Sequence, residues 1–300
     1  MSKYNYISPQ PVNARVDVRF YPNPSNSSKT DIVWEFPDIP TMLDIIEQDK
    51  LKKEAAESGP NVWAHGDELK TYANTLHALN DLEMPAKYLA LIAEFRDTLI
   101  AKDSIQALFK KAHTIKRKRI FQEEGAELDI DRLLSWDENH WSSMSRRWMR
   151  PTITIHCNNA KNASSSQEDF FKTWALLAVA CEILNQAWVA VEVIGLDYVD
   201  WQSLDSSIGN TCWMYTIKKP EDPMNLQRIA SSGLPGLFRS VLFTYFNAYV
   251  PRITYWYGRT AAPTAEQQQA LWIDHYFWSI NIRDDGQVTN FIESLLQKTS

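Results

Sequence analysis

The chain has 300 residues, of which 44% are hydrophobic and 23% charged, with a formal net charge of −6. This is the composition of a globular protein long enough to bury a core without disulfide or metal staples. Its negative charge excludes a protein that coats nucleic acid by bulk attraction, though not one with a local basic site, and no stretch approaches the roughly 20 apolar residues of a membrane span.

The N-terminal segment has no apolar core of the secretory kind, and Cys157, Cys181 and Cys212 are an odd number at wide spacing. A reduced, cytoplasmic setting with three free thiols is expected. Val16, Val18 and Phe20 alternate with polar residues, 22–28 is rich in Pro, Asn and Ser, and Ile32 to Phe36 resumes an apolar run. That pattern predicts a β-hairpin. Helical spacing follows over 41–56 (Met42, Ile45, Ile46) and 68–79, with Ser58-Gly59-Pro60 between them. Pro85 opens the longest helical stretch, with Leu89, Ile92, Phe95, Leu99 and Ile100 on one face.

Lys110-Lys111 and Lys116 to Arg119 form a basic cluster, followed at once by Glu123, Glu124, Glu127, Asp129 and Asp131. From Pro151 the pattern changes. Ile153 and Ile155 mark a short strand, 158–166 a polar loop, and 167–187 a helix with a capping box at Ser165 and Glu168 and an apolar stripe of Phe170, Trp174, Leu177, Cys181 and Leu184. The near-continuous apolar run 188–194 reads as a strand covered on both faces, so 151–196 is expected to be a parallel βαβ unit. A strand over 211–217, helices over 226–232 and 237–249, strands over 253–257 and 277–282, and a last helix after Asp284-Asp285-Gly286 complete the chain. The buried face of that last helix is expected to be Val288, Phe291, Ile292, Leu295 and Leu296.

Three segments carry a family resemblance: Arg119 to Arg132, Arg150-Pro151-Thr152-Ile153-Thr154-Ile155 with the loop, helix and Val191-Glu192-Val193 that follow, and Ile217-Lys218-Lys219-Pro220 through Leu237-Phe238-Arg239. On these, residues 116–300 resemble the von Willebrand A-like region of cobaltochelatase-type proteins, and more closely a group of phage and plasmid proteins of the same layout. The resemblance implies an α/β chain in two portions. Residues 1–115 are a helical N-terminal portion with a β-hairpin, and 116–300 a three-layer, Rossmann-type von Willebrand A-like domain. Such domains are mostly adhesive or scaffold units, and relatives of this kind often act beside ring-shaped ATPases. Their first strand ends in Asp-x-Ser-x-Ser, which gathers carboxylate and hydroxyl oxygens about a hard cation. Here the stretch reads Asn158-Asn159-Ala160-Lys161-Asn162, or begins at His156 in another alignment, so no metal and no cofactor is expected. A loop at the carboxyl end of a parallel strand is still where such sheets present ligands. Asn158, Asn159, Lys161 and Asn162 are therefore the candidate binding loop, weighed against a surface loop whose asparagines satisfy local backbone.

Other clusters are weaker. His65-Gly66-Asp67-Glu68 and Asp137-Glu138-Asn139-His140 combine acid with imidazole but lack a ligand spacing. His156 and Cys157 are neighbours on one strand, so their side chains should point to opposite faces and not share a proton. No Gly-x-Ser-x-Gly, phosphate-binding or dinucleotide motif occurs among only nine glycines, and no catalytic residue is assigned. Lys116, Arg117, Lys118, Arg119, Arg146, Arg147, Trp148 and Arg150 mix cations with an aromatic, as single-stranded nucleic-acid sites do. The favoured expectation is a non-catalytic module that binds another protein. The alternative is a single-stranded nucleic-acid factor of a phage, using those cations.

Overall fold

A computed structural model describes residues 17–24, 26–48, 86–114, 119–122, 127–128, 130–135, 141–144, 151–159, 167–200, 208–223, 225, 228–229, 232, 237, 259–277 and 284–298. The strands are β1 (Asp17–Pro22), β2 (Thr30–Phe36), β3 (Arg119–Gln122), β4 (Glu127–Leu128), β5 (Trp141–Met144), β6 (Thr152–Asn158), β7 (Ala190–Asp200), β8 (Ile208–Lys218), β9 (Arg259–Thr260) and β10 (His275–Phe277). The helices are α1 (Ile39–Gln48), α2 (Ala86–Ile100), α3 (Asp103–Thr114), α4 (Ile130–Leu134), α5 (Gln167–Gln186), α6 (Ala265–Ala270) and α7 (Asp285–Gln297). None of them is long and apolar enough to cross a membrane.

Among the described residues the main sheet has seven strands, in the order β1-β2-β8-β7-β6-β10 with β9 beside the far end of β7. β6 and β7 are parallel, with Thr152 opposite Ala190 and Asn158 opposite Leu196, and α5 crosses between them. The expected βαβ unit is present. β10 lies parallel to β6 on its other side, whereas β8 returns antiparallel to β7. The N-terminal hairpin is antiparallel within itself and joins β8 in parallel, so it completes the same sheet. A separate three-stranded antiparallel sheet has the order β3-β5-β4.

Period-two alternation divides the main sheet into two faces. Ile32, Trp34 and Phe36 of β2, Trp213, Tyr215 and Ile217 of β8, Val191 and Val193 of β7, and Ile153, Ile155 and Cys157 of β6 join one core with α1, α2, α3, α5 and α7. The opposite face holds a smaller cluster of Val33, Leu196, Tyr198, Cys212, Met214 and Ile273 beneath the segment that follows α6. His156 and Cys157 accordingly face apart, and all three cysteines are free and buried.

α5 departs from the expected single stripe. Leu176, Val179, Ala180 and Ile183 are as buried as Trp174, Leu177, Cys181 and Leu184, because the helix lies between the sheet and α2, α3 and α7. Arg96 of α2 clamps Glu182 of α5 with two parallel hydrogen bonds of 2.7 and 2.9 Å. α1 starts two residues earlier than its apolar spacing suggests. The Asp38 carboxylate caps it by accepting the Thr41 N–H at 2.8 Å, and Pro40 sits in the first turn, where no N–H is required. α7 is capped by Asp284 and buries Val288, Ile292, Leu295 and Leu296, while Phe291 is partly buried against Phe277 with ring centroids 4.8 Å apart. β7 runs on to Asp200 and is not covered on both faces along its length: Glu192 and Ile194 are only half-buried. β10 begins at His275, two residues before the expected 277. Arg228, Ile229 and Ser232 are helical within the expected 226–232 helix. The helices expected over 68–79 and 238–249 and the strand over 253–257 lie outside the described residues, as do 49–56 and 278–282.

Candidate functional site

The expected binding loop resolves into something different. Asn158 is the last residue of β6 and fully buried, and Asn159 is 2% exposed, so neither is available to a ligand. The Asn158 amide donates to the Ala261 carbonyl at 2.9 Å and to the Tyr276 hydroxyl at 2.8 Å. The Asn159 amide donates to the Tyr215 hydroxyl at 2.7 Å and the Ser232 carbonyl at 2.6 Å, while its oxygen accepts the Trp174 indole N–H at 3.1 Å. A buried amide can be retained only with its donors and acceptor engaged. These two asparagines staple the carboxyl end of β6 to the surrounding strands and helices. Ala160, Lys161, Asn162 and Ser165 lie outside the described residues.

Arg119 opens β3, opposite Met144 in β5. Lys116, Arg117, Lys118, Arg146, Arg147, Trp148 and Arg150 lie outside the described residues, as do the clusters at 65–68 and 137–140. Nothing brings the nucleic-acid candidates together among the described residues.

What the structure does present is a cleft of about 1020 Å³ on the sheet face opposite the helices. Its wall on one side is β1 and β2, with Asp17, Arg19, Tyr21 and Glu35; its floor is Met214 and Thr216 of β8, Glu192 and Ile194 of β7, and Thr154 and His156 of β6; and 268–274 overhangs it. Strand alternation explains the set, since Thr154 is in register with Glu192 and His156 with Ile194 on one face. The segment after α6 seals the carboxyl half of this face through Leu271, Ile273 and the small cluster beneath them, and the rest stays open.

Among the described residues the lining carries four carboxylates, Asp17, Glu35, Glu192 and Asp274, against the guanidinium of Arg19. Arg19 donates to Asp17 at 2.9 Å and to Glu35 at 2.8 Å, so the charge on that wall is partly balanced. Burial nevertheless raises the Glu35 carboxyl, against the pull of Arg19. Glu192 accepts the Thr154 hydroxyl at 2.8 Å. His156 is 3% exposed and its Nδ1 has no hydrogen-bond partner. Burial pushes its imidazole down to about 4, with Asp274 opposing, so it is neutral near pH 7. Trp272, on the rim, is 84% exposed.

On the helix face Asp197 is fully buried, and neither carboxylate oxygen makes a hydrogen bond of good geometry, the Tyr215 hydroxyl being its polar neighbour. Burial pushes its carboxyl up to about 8, the Tyr215 hydroxyl opposing the shift, so it is largely protonated near pH 7. Asp31 is the contrasting case. Its oxygens accept the Asn23 side chain at 2.7 Å, the Asn210 backbone N–H at 2.7 Å, and the side chains of Asn210 and Gln267 at 3.3 Å each. It bolts the hairpin to β8 and α6. No group of three or more His, Cys, Asp or Glu is arranged to hold a metal among the described residues.

The run of polar residues points to the loop at 158–162 and not to the cleft. The signal for the cleft is the polar residue at every second position of β1 and β6, and Glu192 interrupting an otherwise apolar strand.

Comparison with known families identifies one match: the profile of a family described as a domain of unknown function (DUF7192) matches residues 92–299. The match covers more than half of the chain, and the chain belongs to that family. No curated protein and no solved structure matches it.

Proposed function

We propose that this member of the DUF7192 family is a non-catalytic protein-interaction module, and that the cleft on the open face of its sheet holds a segment of a partner protein. The observation that carries the reading is the cleft itself: about 1020 Å³, of mixed polar and apolar lining, with four carboxylates and one guanidinium among its described residues. A nucleophile, a general base at a working pKa or a metal would be needed for catalysis. The cleft's one imidazole is pushed down to about 4 by burial, which makes it a poor proton carrier near pH 7. A cleft rimmed by unbalanced carboxylates attracts a basic segment and repels phosphates. That disfavours single-stranded nucleic acid as its occupant.

A von Willebrand A-like scaffold without its cation suits this role. With the two-residue β9 left aside and numbered from β6, the order β8-β7-β6-β10 reads 3-2-1-4, which supports a likeness to one half of a doubly wound sheet and its turning point, although β8 runs antiparallel to β7. The turning point, between β6 and β10, is where such sheets place ligands. In this chain Asn158 closes it with its bonds to Ala261 and Tyr276. The binding role is thereby displaced from the end of the strands to the open face.

The test is a titration of fluorescent peptides of basic, neutral and acidic composition, and of a single-stranded oligonucleotide, against the wild type and Thr216→Arg, which puts a cation into the cleft. The reading requires the basic peptide to bind best and Thr216→Arg to abolish its binding. Equal binding to the two proteins, or binding of the oligonucleotide in preference, would overturn it.

A further inference from the structure

We infer that the cleft seats one cationic side chain, an arginine or lysine of the partner protein, against the indole of Trp272 and beside the carboxylates of Glu192 and Asp274. This rests on the reading of the cleft as the partner's site, and adds which chemical group is read there and by which residues.

Trp272 is the first observation. It occupies the residue after the C-cap of α6 with φ 57°, the left-handed conformation that closes the helix. Its N–H donates to the Gln269 carbonyl at 3.2 Å and the Ile273 N–H to that of Gln268 at 2.8 Å, the two bonds of a Schellman motif. Glycine fills this position without steric cost, whereas a side chain there is strained. The strained residue here is the largest of all, and its indole is left 84% exposed on the rim of the cleft. Neither packing nor helix termination explains it. An exposed π face in a cleft that also carries carboxylates suits ammonium and above all guanidinium groups.

The charges are the second observation. Arg19 already engages Asp17 and Glu35, which leaves Glu192 and Asp274 as the lining carboxylates without a cation among the described residues. The Thr154 hydroxyl holds one Glu192 oxygen in place and so orients the carboxylate. The third is His156. Its register position is next to Ile194, two residues along β6 from Thr154, and it is a neutral, buried imidazole with an unpartnered Nδ1 at the cleft floor. A neutral imidazole offers a hydrogen bond without repelling the incoming cation.

The experiment uses a labelled nonapeptide of glycine and serine with three arginines, the same peptide with lysine, and the same with citrulline, which keeps arginine's shape and loses its charge. We expect the arginine peptide to bind at least ten-fold more tightly than the citrulline peptide, and Trp272→Gly and Glu192→Gln each to weaken it about ten-fold. Trp188→Gly alters the other tryptophan with a positive φ among the described residues, one that does not line the cleft, and should leave binding unchanged. Trp272→Gly also relieves backbone strain, so its Tm should not fall, which separates lost binding from lost folding. Citrulline binding as tightly as arginine, or full binding by Trp272→Gly, would overturn the inference. If Thr216→Arg still abolished binding in that case, the cleft would remain the partner site. Free spermidine displacing the peptide at equal affinity would make the ligand a small polyamine and overturn the assignment to a protein side chain.

Discussion

The side-chain amide of Asn159 lies 2.7 Å from the hydroxyl of Tyr215, so one buried residue ties the carboxyl end of β6 to β8 across the intervening β7. The same amide serves Trp174 and Ser232. Asn159→Ala would leave a buried indole N–H and a carbonyl without partners, and should cost about 2–4 kcal/mol of unfolding free energy. Tyr215→Phe, which removes one partner only, should cost about 1–2 kcal/mol. Urea unfolding measures both. A cost under about 0.5 kcal/mol for Asn159→Ala would show that the amide is a surface group after all.

Gly195 sits under the same tyrosine. A Cβ at Gly195 would lie 2.2 and 2.4 Å from ring carbons of Tyr215, well inside van der Waals contact. Gly195→Ala should therefore destabilise by at least about 1–3 kcal/mol. Combined with Tyr215→Leu it should cost less than the sum of the two, because the clash goes with the ring. Strict additivity in thermal or urea unfolding would contradict this packing.

Those two residues also show why the sequence was only partly legible. The βαβ unit was readable because Ile153, the helical pattern over 167–187 and the apolar run over 188–194 are local patterns of adequate length. The end of β7 was not, since Gly195 looks like a break in an apolar strand. Only the Tyr215 ring, 20 residues away across the sheet, shows why glycine is needed there. Asn158 and Asn159 stand in a run of polar residues and read as surface, but their partners Tyr215 and Tyr276 are 56 and 118 positions further on. The hairpin was legible as a hairpin, while its joining to β8 was not: Asp31 finds Asn210 at a separation of 179 residues. Trp272 was hidden because the residue after a helix is recognised by glycine, and this chain uses its opposite.

The protonation of Asp197 gives a pH dependence. Its folded carboxyl is pushed up to about 8 from an ordinary value of 3.8, so between those limits the folded protein keeps a proton that the unfolded chain releases. The stability it supports is complete below about 4 and is lost as pH rises towards 8. Asp197→Asn, which keeps the shape and cannot ionise, should gain stability relative to wild type with rising pH, by a few kcal/mol at pH 8 at about 1.4 kcal/mol per pH unit. His156 acts in the opposite direction, costing stability as pH falls from 6.5 towards about 4. Chemical denaturation of both proteins at pH 5, 6.5 and 8 tests this. A constant difference across that range would contradict it.

Divalent cations should leave the protein unchanged. The carboxyl end of β6 offers two amides already bonded to protein groups, and the nearby carboxyl of Asp197 is buried and protonated near pH 7. A ligand that binds only the folded state raises stability by RT ln(1 + [L]/Kd), so millimolar magnesium or manganese that bound there would raise the Tm. We expect no rise. A rise abolished by Asp197→Asn would locate a cation site at this strand end.

Hydroxyl-radical footprinting of Trp272 and Trp188, the two exposed tryptophans among the described residues, tests the assignment of the cleft most directly. Trp272 is 84% exposed and lines the cleft, whereas Trp188, two residues before β7, is 47% exposed and is not among the lining residues, so it serves as the reference. With saturating arginine peptide, oxidation of Trp272 should fall several-fold while that of Trp188 stays as in the free protein. Protection of Trp188 with Trp272 unchanged would place the partner on another surface and contradict the account.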